Sequence, residues 1–432
     1  MARKADPTAA RTANQTVAQT AAATLGAALG ADLHGLSRLA IDATLGVTGL
    51  VESLHRNITA PAGLLGPAPT GPTRGITGLV YRSVSGITRA VGWGLDATLP
   101  RLTPLLGPSP QSPRRDAMLA ALNGVLGDHL AETGNPLAIP MALRQGGQPL
   151  TLERAALAAA LPGAGGKLLV LVHGLCMNDL QWLRQGHDHG AALARDLGVV
   201  PLYLHYNSGR HVSTNGHDFA HLLERLLQEW PVPVQELVLI GHSMGGLLCR
   251  SACRSAAQAG LHWPGRLRAM VFLGTPHHGS PLERAGSGVD SLLDLSPYTA
   301  PFGRIGRIRS AGIQDLRHGH LCDEDWQSPG SPQRTPVPLP QGVRCHVMAA
   351  STQAAGATPR RGLRRPGDGL VPVASALGEH ADPALRLQVP PERQWVGHGL
   401  NHFDLLSSDA AYEQIRRWLA PQARRKTSAP AV

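Results

Sequence analysis

The chain is poor in aromatic residues, in cysteines and in long apolar runs. Phe, Trp and Tyr make up 4% of its 432 residues although 43% are hydrophobic, so its core must be built largely from aliphatic side chains. The five cysteines are odd in number and lack the paired spacing of a metal knuckle or a disulfide scaffold. This pattern excludes a disulfide framework and indicates a reducing compartment.

No stretch reaches the length of about 18 uninterrupted apolar residues that a membrane-spanning helix needs. The basic start of the sequence is followed by a polar stretch over residues 6–19 instead of an apolar core with a cleavage site. We therefore expect neither an ordinary signal peptide nor a spanning helix. The sequence predicts a cytoplasmic protein that is at most peripheral to a membrane or to a lipid-like storage body.

The net charge of +10 is concentrated in two short segments, around Arg360 to Arg365 and between Arg416 and Lys426. We interpret both as solvated loop or tail surface. No pattern of a nucleic-acid-binding module is present, so we predict that nucleic acid is not a partner.

Residues 15–105 are rich in Ala, Gly and Leu and contain a degenerate repeat. GVTGLVE at 46–52 returns as GITGLVY at 75–81, and IDATL at 41–45 returns as LDATL at 95–99. A Pro- and Gly-rich break at 61–72 separates the copies. Apolar residues spaced by three or four predict a helix with one apolar stripe in the second copy: Ile76, Leu79, Val80, Val84, Ile87, Val91, Leu95 and Leu99.

Such a stripe can pack against its own protein or bind an external apolar surface. The low charge of the region favours the second alternative, in which helical hairpins attach the protein reversibly to a membrane face or a lipid-like storage body. We accordingly divide the chain into an N-terminal helical extension (1–110), an α/β domain (111–420) and a basic disordered tail (421–432).

The α/β domain is expected to begin with a helix over 116–132 and two short strands around the Gly146–Gly147 turn. Short apolar runs then end in polar or glycine residues and are separated by helix-length segments: KLLVLVHGL, VPLYLHYNS, ELVLIGHS, RAMVFLGTP and VRCHVMAAS. This alternation predicts a mostly parallel sheet with helices on both faces. A Pro-rich insertion at about 281–341 interrupts it and is expected to form a lid over the carboxyl edge.

The pentapeptide Gly241-His242-Ser243-Met244-Gly245 fits the pattern G-x-S-x-G at the end of one of these strands. A helix is expected to follow it directly. Glycines allow the sharp turn that lifts a serine hydroxyl clear of the backbone. The sequence therefore predicts Ser243 as a nucleophile.

A serine nucleophile needs a base, and the base needs an orienting acid. In this architecture both lie downstream, and Asp368 and His402 occur in the required order. Asp368 could instead be a simple turn residue, and His398 competes with His402 in the same loop. We prefer His402 because it leads into Phe403–Leu406, which is expected to begin the last helix with Asp404 as its early acidic residue.

Acyl transfer also needs N–H donors for the oxyanion. One is expected from Met244, directly after the nucleophile, and the other from the loop that His173 and Gly174 begin. Leu175 is the predicted second donor, with Cys176 as the alternative. Cys176 as a rival nucleophile has no local basic partner, so we interpret it as a small buried side chain.

Three short histidine pairs raise the question of a metal site, but none belongs to a recognisable ligand set: His187 and His189, His277 and His278, His318 and His320. We therefore predict neither a metal nor a cofactor. The residues expected to line or support the site are His173, Gly174, His242, His277 and His278.

These motifs together resemble the α/β-hydrolase superfamily, and within it the lipase-like serine esterases and the branch related to GPI-inositol deacylases. The resemblance covers roughly residues 135–420 and depends on LVHGL at 171–175, GHSMGG at 241–246, GTPHHGS at 274–280, DGLVP at 368–372 and the late His402. It implies that Ser243 is the nucleophile, His402 the general base and then acid, and Asp368 its orienting partner.

The activity that the resemblance implies is hydrolysis of carboxylic esters of lipid-like or other apolar acyl groups through an acyl-enzyme. A thioesterase, an acyltransferase or an amidase would use the same triad. A non-catalytic binding or scaffold protein on this fold is the alternative from a different class.

Overall fold

A computed structural model of the chain describes residues 32–45, 75–102, 113–280, 310–327, 334–356 and 367–421. Contacts divide the chain into two units, which are described separately. The N-terminal unit contains the residues up to Ser112 together with Leu130–Ala138, and the larger unit contains Pro113–His129 and everything from Ile139 onward.

The described part of the N-terminal unit contains two helices, α1 (32–45) and α2 (Gly75–Leu102). They are joined by a hydrogen bond of 2.7 Å between His34 Nε2 and Asp96 Oδ1. Gly92 allows them to approach closely, since a Cβ there would lie 3.2 Å from the Ile41 side chain. Both helices agree with the predicted helical character, whereas the break at 61–72 lies outside the described residues.

The larger unit is built on an eight-stranded sheet in the order β2-β1-β4-β3-β5-β6-β7-β8. Strands β3 to β8 run parallel to one another, and β1 pairs with β2 and β4 in antiparallel fashion at one edge. The strands are β1 Ala142–Gln145, β2 Gln148–Pro149, β3 Lys167–Val172, β4 Val200–His205, β5 Glu236–His242, β6 Leu267–Leu273, β7 Arg344–Ser351 and β8 Gln394–His398.

Helices pack on both faces of this sheet, as the alternation of apolar and helix-length segments predicts. The helices described from residue 113 onward are α3 Pro113–Glu132, α4 Arg154–Ala160, α5 His189–Leu197, α6 Val212–Glu229, α7 Met244–Ala259, α8 Ala311–His318, α9 Glu324–Gln327, α10 Val373–Ala376 and α11 Asp409–Leu419. Those of one face include α6 and α7, and those of the other include α5 and α11.

Strand β3 shows how the sheet separates two cores. Successive side chains of a strand point to opposite faces. Leu168, Val170 and Val172 are buried with residues of α6 and α7 on one face. Leu169 and Leu171 are buried with residues of α5 and α11 on the other. This fully apolar strand is typical of a sheet covered on both sides.

The sheet changes its direction of winding at β3. The chain passes from β3 to β4 on one side, and β5 then lies on the other side of β3. Ligand sites of open α/β sheets lie at the carboxyl ends of the strands beside such a switch point. The loop after β3 and the turn after β5 therefore meet where a site is expected.

The end of the chain differs from the prediction in two respects. The short strand β8 was not foreseen, because QWVGH mixes polar, aromatic and glycine residues and is only half-buried. The last helix begins at Asp409, where Ser408 caps it, and not at Phe403. Asp404 belongs instead to a short 3-10 turn and accepts a hydrogen bond from Asn401 N at 2.9 Å.

The predicted lid is described only in part. Residues 281–309 and 328–333 of the insertion lie outside the described residues, as do the basic run at 360–365 and the tail from 422. Helix α8 is well anchored, since Ser310 Oγ donates to Gly124 O at 2.6 Å and Gly312 N donates to Gly209 O at 2.9 Å. Within the described ranges, no helix has both the length and the hydropathy to cross a membrane.

Candidate active site

Ser243 occupies a strained turn between β5 and α7. Its φ of 54° and ψ of −123° are rare for a residue with a side chain. Neighbouring glycines make the turn possible: a Cβ at Gly241 would lie 2.5 Å from Gly246 N, and one at Gly245 would overlap the carbonyl of Val172. The sharp turn between strand and helix is therefore formed, with Ser243 at the carboxyl edge of the sheet.

Asp368 and His402 meet at the same edge. His402 Nδ1 lies 2.7 Å from Asp368 Oδ2, and both side chains are buried. The other carboxylate oxygen, Oδ1, accepts from Leu370 N at 2.9 Å and from Val371 N at 2.7 Å. Asp368 thus organises its turn and also binds the imidazole, which leaves Nε2 as the ring nitrogen available to accept a proton.

The surroundings distinguish His402 from His398. His398 ends β8, where it is exposed and pairs with Ser351 in the sheet. His402 as a residue is only 2% exposed, and its ring packs against Gly274, where a Cβ would lie 3.1 Å from the ring. His242 donates from Nε2 to the carbonyl of His402 at 3.2 Å, since a carbonyl can only accept. The geometry favours His402 as the partner of Asp368.

The loop after β3 lies directly against Ser243. A Cβ at Gly174 would stand 3.1 Å from Ser243 Cβ and 3.3 Å from His242 Nδ1. The backbone N–H of Ser243 is itself engaged by Leu273 O at 2.8 Å. Gly174 therefore favours the close approach of this loop to the turn that holds Ser243.

The predicted oxyanion donors, Met244 and Leu175, directly follow Ser243 and Gly174, the two residues that make this contact. Met244 is the first residue of α7, and the first N–H groups of a helix have no acceptor within the helix. The N–H of Cys176 donates to Ser208 Oγ at 3.0 Å, so it is engaged and Leu175 is the better second donor. Burial raises the pKa of the Cys176 thiol to about 12, which opposes a role as nucleophile.

Helix α8 packs apolar side chains against the two predicted oxyanion donors. Leu175 and Met244 form a buried cluster with Ile313 and Leu316 of α8 and with Val337. The described part of the insertion thus forms an apolar wall beside the turn that holds Ser243.

His277 and His278 lie on the loop after β6. Burial and the nearby Arg250 guanidinium hold the pKa of His277 well below its ordinary value, and Arg250 Nη1 lies 3.3 Å from its Nδ1. Burial also lowers the pKa of His278 to about 4, and its backbone N–H donates to Ser375 Oγ at 3.2 Å. Both are neutral residues whose contacts support the loop.

The remaining histidine pairs make structural contacts. His187 Nε2 lies 2.8 Å from His189 Nδ1, and His189 Nε2 lies 2.9 Å from Leu405 O. His320 Nδ1 lies 3.2 Å from the buried carboxylate of Asp315. Within the part of the chain that the structure describes, no group of three or more His, Cys, Asp or Glu could hold a metal ion.

A second serine, histidine and aspartate array lies on the helical layer. Ser255 Oγ is 2.7 Å from His217 Nδ1, and His217 Nε2 is 3.4 Å from Asp323 Oδ2. Ser255 is inside α7, where the surrounding N–H groups are used by the helix, so the array lacks oxyanion donors. It offers an internal control for Ser243.

Two residues beside the oxyanion loop were not foreseen. Ser208 follows β4 in the YNSG segment, and its position after a strand could have indicated it. Gly124 of α3 carries no such signal; it matters because a Cβ there would overlap Cys176 Sγ.

Comparisons with known proteins agree with this fold. Residues 164–330, less than half of the chain, match the profile of the PGAP1-like alpha/beta domain family. No curated protein matches the chain significantly.

Several solved structures resemble it weakly. The mature lipase BlEst2 of Bacillus licheniformis is 18% identical over 60% of this chain and 94% of its own, with a TM-score of 0.39. The esterase of Pyrobaculum calidifontis is 14% identical over 72% and 97%, with a TM-score of 0.38. Phospholipase PlaB of Legionella pneumophila is 15% identical over 49% and 45%, with a TM-score of 0.32. These scores are too low to transfer an activity.

The mostly parallel eight-stranded sheet carries a strained serine in the turn between β5 and α7. The chain therefore has the α/β-hydrolase fold, and its residues 164–330 match the PGAP1-like alpha/beta domain family.

Proposed function

We propose that this protein is a serine hydrolase that cleaves carboxylic esters of lipid-like or other apolar acyl groups through an acyl-enzyme. The observation that carries the proposal is the 2.7 Å pairing of His402 Nδ1 with Asp368 Oδ2 at the sheet edge that also holds the strained Ser243. A serine hydroxyl is a weak nucleophile unless such a base takes its proton.

In the proposed reaction Ser243 Oγ attacks the acyl carbon while its proton passes to His402 Nε2. The carbonyl oxygen becomes an oxyanion, for which Met244 and Leu175 supply N–H donors. His402 then returns the proton to the departing alcohol as the carbon–oxygen bond breaks. Water repeats these steps, gives its proton to His402, and releases the carboxylic acid and Ser243.

The apolar wall beside the nucleophile supports an apolar acyl group. Ile313 and Leu316 of α8 pack there with the side chains of both predicted oxyanion residues. A thioester or an amide would react through the same acyl-enzyme and differ only in the leaving group. An acyltransferase would differ in the acceptor that replaces water.

A non-catalytic scaffold on this fold would not need the Asp368–His402 pair or the strained turn at Ser243. Maintaining a serine at positive φ costs of order 1–3 kcal/mol, and strain of this kind is concentrated at active sites. The strain at Ser243, together with the Asp368–His402 pair, therefore supports the catalytic alternative.

The test is hydrolysis of p-nitrophenyl esters from acetate to palmitate by the full chain. Ser243→Ala should lower kcat by roughly 10⁴-fold or more. Ser255→Ala is the matched control and should retain activity, because Ser255 has a histidine partner but no oxyanion donors. Equal turnover by the wild type and Ser243→Ala would contradict the proposal.

We also propose that the N-terminal helices attach the protein reversibly to an anionic lipid surface. On α2, Val84, Ile87 and Val91 are 41%, 66% and 50% exposed and lie on one face at helical spacing. Arg82 and Arg89 of the same helix are exposed and would favour an anionic surface. Such binding would bring the enzyme to substrates that gather at interfaces.

A further inference from the structure

The peptide group between Gly174 and Leu175 lies in the loop after β3. Its carbonyl contacts His173, and its N–H is the predicted oxyanion donor. The carbonyl of Gly174 lies 2.9 Å from His173 Nδ1 and accepts from Met177 N at 3.3 Å. The N–H of the same peptide belongs to Leu175. In a planar trans peptide the C=O and N–H point in opposite directions. Holding the Gly174 carbonyl therefore fixes the direction of the Leu175 N–H.

The protonation of His173 follows from this contact. A carbonyl oxygen only accepts hydrogen bonds, so the proton must be on Nδ1. Nε2 is buried and has no partner among the described residues, so protonating it would leave a buried N–H unsatisfied. Burial lowers the pKa of His173 to about 3. The ring is thus a neutral, single-tautomer donor at ordinary pH.

The surroundings prevent the ring from turning. His173 is fully buried, and its ring stacks on Tyr206 with a centroid distance of 4.4 Å. Tyr206 also donates its hydroxyl to the carbonyl of His173 at 3.0 Å. The next peptide of the loop is held by Ser208 through the N–H of Cys176. The Leu175 N–H is therefore fixed from both sides.

We propose that His173 is a positioning residue for catalysis, whose Nδ1–H holds the Gly174 carbonyl and thereby aims the Leu175 N–H at the oxyanion of the tetrahedral intermediate. This inference rests on the proposed serine hydrolase function. In this role His173 takes no part in the proton transfers between Ser243, His402 and the substrate, because it acts through the backbone of the loop.

Replacing His173 by Asn or by Gln distinguishes the effect of the hydrogen-bond donor from the effect of the imidazole ring. In His173→Asn the amide nitrogen sits close to the place of Nδ1, whereas in His173→Gln it sits one bond farther out, like Nε2. His173→Asn should keep kcat within a few-fold of the wild type. His173→Gln and His173→Leu should lower kcat by roughly 10- to 100-fold with little change in KM, because the oxyanion forms only after binding.

A trifluoromethyl ketone that forms a tetrahedral oxyanion adduct gives a second readout. Its inhibition constant should rise in parallel with the loss of kcat in His173→Gln and stay near the wild-type value in His173→Asn. The folded fraction of each variant is measured by circular dichroism and thermal unfolding, so that lost activity is not confused with lost protein. If His173→Leu does not fold, the comparison of His173→Asn with His173→Gln still tests the positioning role.

Equal kcat for the Asn and Gln variants, whether high or low, would overturn the positioning role. Loss of substrate affinity without loss of kcat would overturn it as well. If Ser243→Ala turned over substrate as fast as the wild type, the proposed function would be contradicted, and this inference would fail with it. The two failures are therefore distinguishable.

Discussion

His402 Nδ1 lies 2.7 Å from Asp368 Oδ2, although the two residues are 34 positions apart in the sequence. Asp368 Oδ1 is occupied by the N–H groups of Leu370 and Val371, so Oδ2 is the oxygen that faces the imidazole. The backbone of a tight turn thus aims the carboxylate, and the carboxylate selects the histidine tautomer.

Asp368→Asn should lower kcat by about 10⁴-fold while the protein stays folded, because an amide donor at Nδ1 would stabilise the wrong tautomer of His402. The measurement is kcat for a p-nitrophenyl ester at constant pH. Asp404→Asn is the matched control, since Asp404 belongs to a neighbouring 3-10 turn. Similar kcat values for the two variants would contradict the assigned role of Asp368.

Ile313→Ala should shift the preference of the enzyme toward longer or bulkier acyl chains. Ile313 is buried against the two predicted oxyanion residues, so its truncation opens space beside the nucleophile. The ratio of kcat/KM for the long ester to that for the short ester should rise by about tenfold. Leu226→Ala, which truncates a buried residue of α6, is the control for destabilisation alone. An unchanged ratio would show that α8 does not contact the acyl group.

Stability should fall as the pH drops below about 6.5. Burial lowers the pKa of His173 to about 3 and that of His189 to about 4, so the unfolded chain binds protons that the folded chain excludes. Their contribution to the free energy of unfolding is fully present above about pH 6.5, the pKa of histidine in the unfolded chain. It is lost progressively as the pH falls toward the pKa values of the folded state. Each such group adds a slope of up to about 1.4 kcal/mol per pH unit.

The free energy of unfolding in urea, measured between about pH 7 and about pH 5, checks this dependence. His189→Gln should reduce the slope, because it removes one of these buried histidines. Equal slopes for the wild type and His189→Gln would mean that His189 is protonated in the folded state.

The proposed lipid attachment is tested by flotation of the full chain with vesicles of phosphatidylglycerol and phosphatidylcholine. Placing Asp at Val84, Ile87 and Val91 should abolish flotation, because charge on the exposed stripe opposes its burial in the lipid interface. The control places Asp at Ser83, Ala90 and Ala97, which are exposed on other sides of α2 and give the same charge change. Equal flotation of the two variants would contradict attachment through the stripe.

Features that depend only on residues close together in the sequence were the best predicted. Strands β3 to β7 were predicted because each is a short apolar run that ends in polar or glycine residues. Ser243 was predicted because its motif and its strand-to-helix context lie within a few residues of each other.

Long-range relationships were less predictable. The choice between His398 and His402 depends on which side chain reaches Asp368, and only packing around Gly274 and His242 decides that. The start of the last helix was misplaced because Phe403–Leu406 is apolar enough for a helix, while the capping Ser408 comes later. The contact of α3 with the oxyanion loop was not foreseen, because a single glycine in a helical segment gives no sign of what approaches it.

The central claim is that Ser243 is an activated nucleophile, and covalent labelling of the wild type by a fluorophosphonate tests it most directly. Mass spectrometry of the digested protein should find one adduct, on the peptide that contains Ser243, and His402→Ala should lower the labelling rate by orders of magnitude. Ser255→Ala should label like the wild type. An adduct on Ser255 or equal labelling of Ser243→Ala and the wild type would contradict the account.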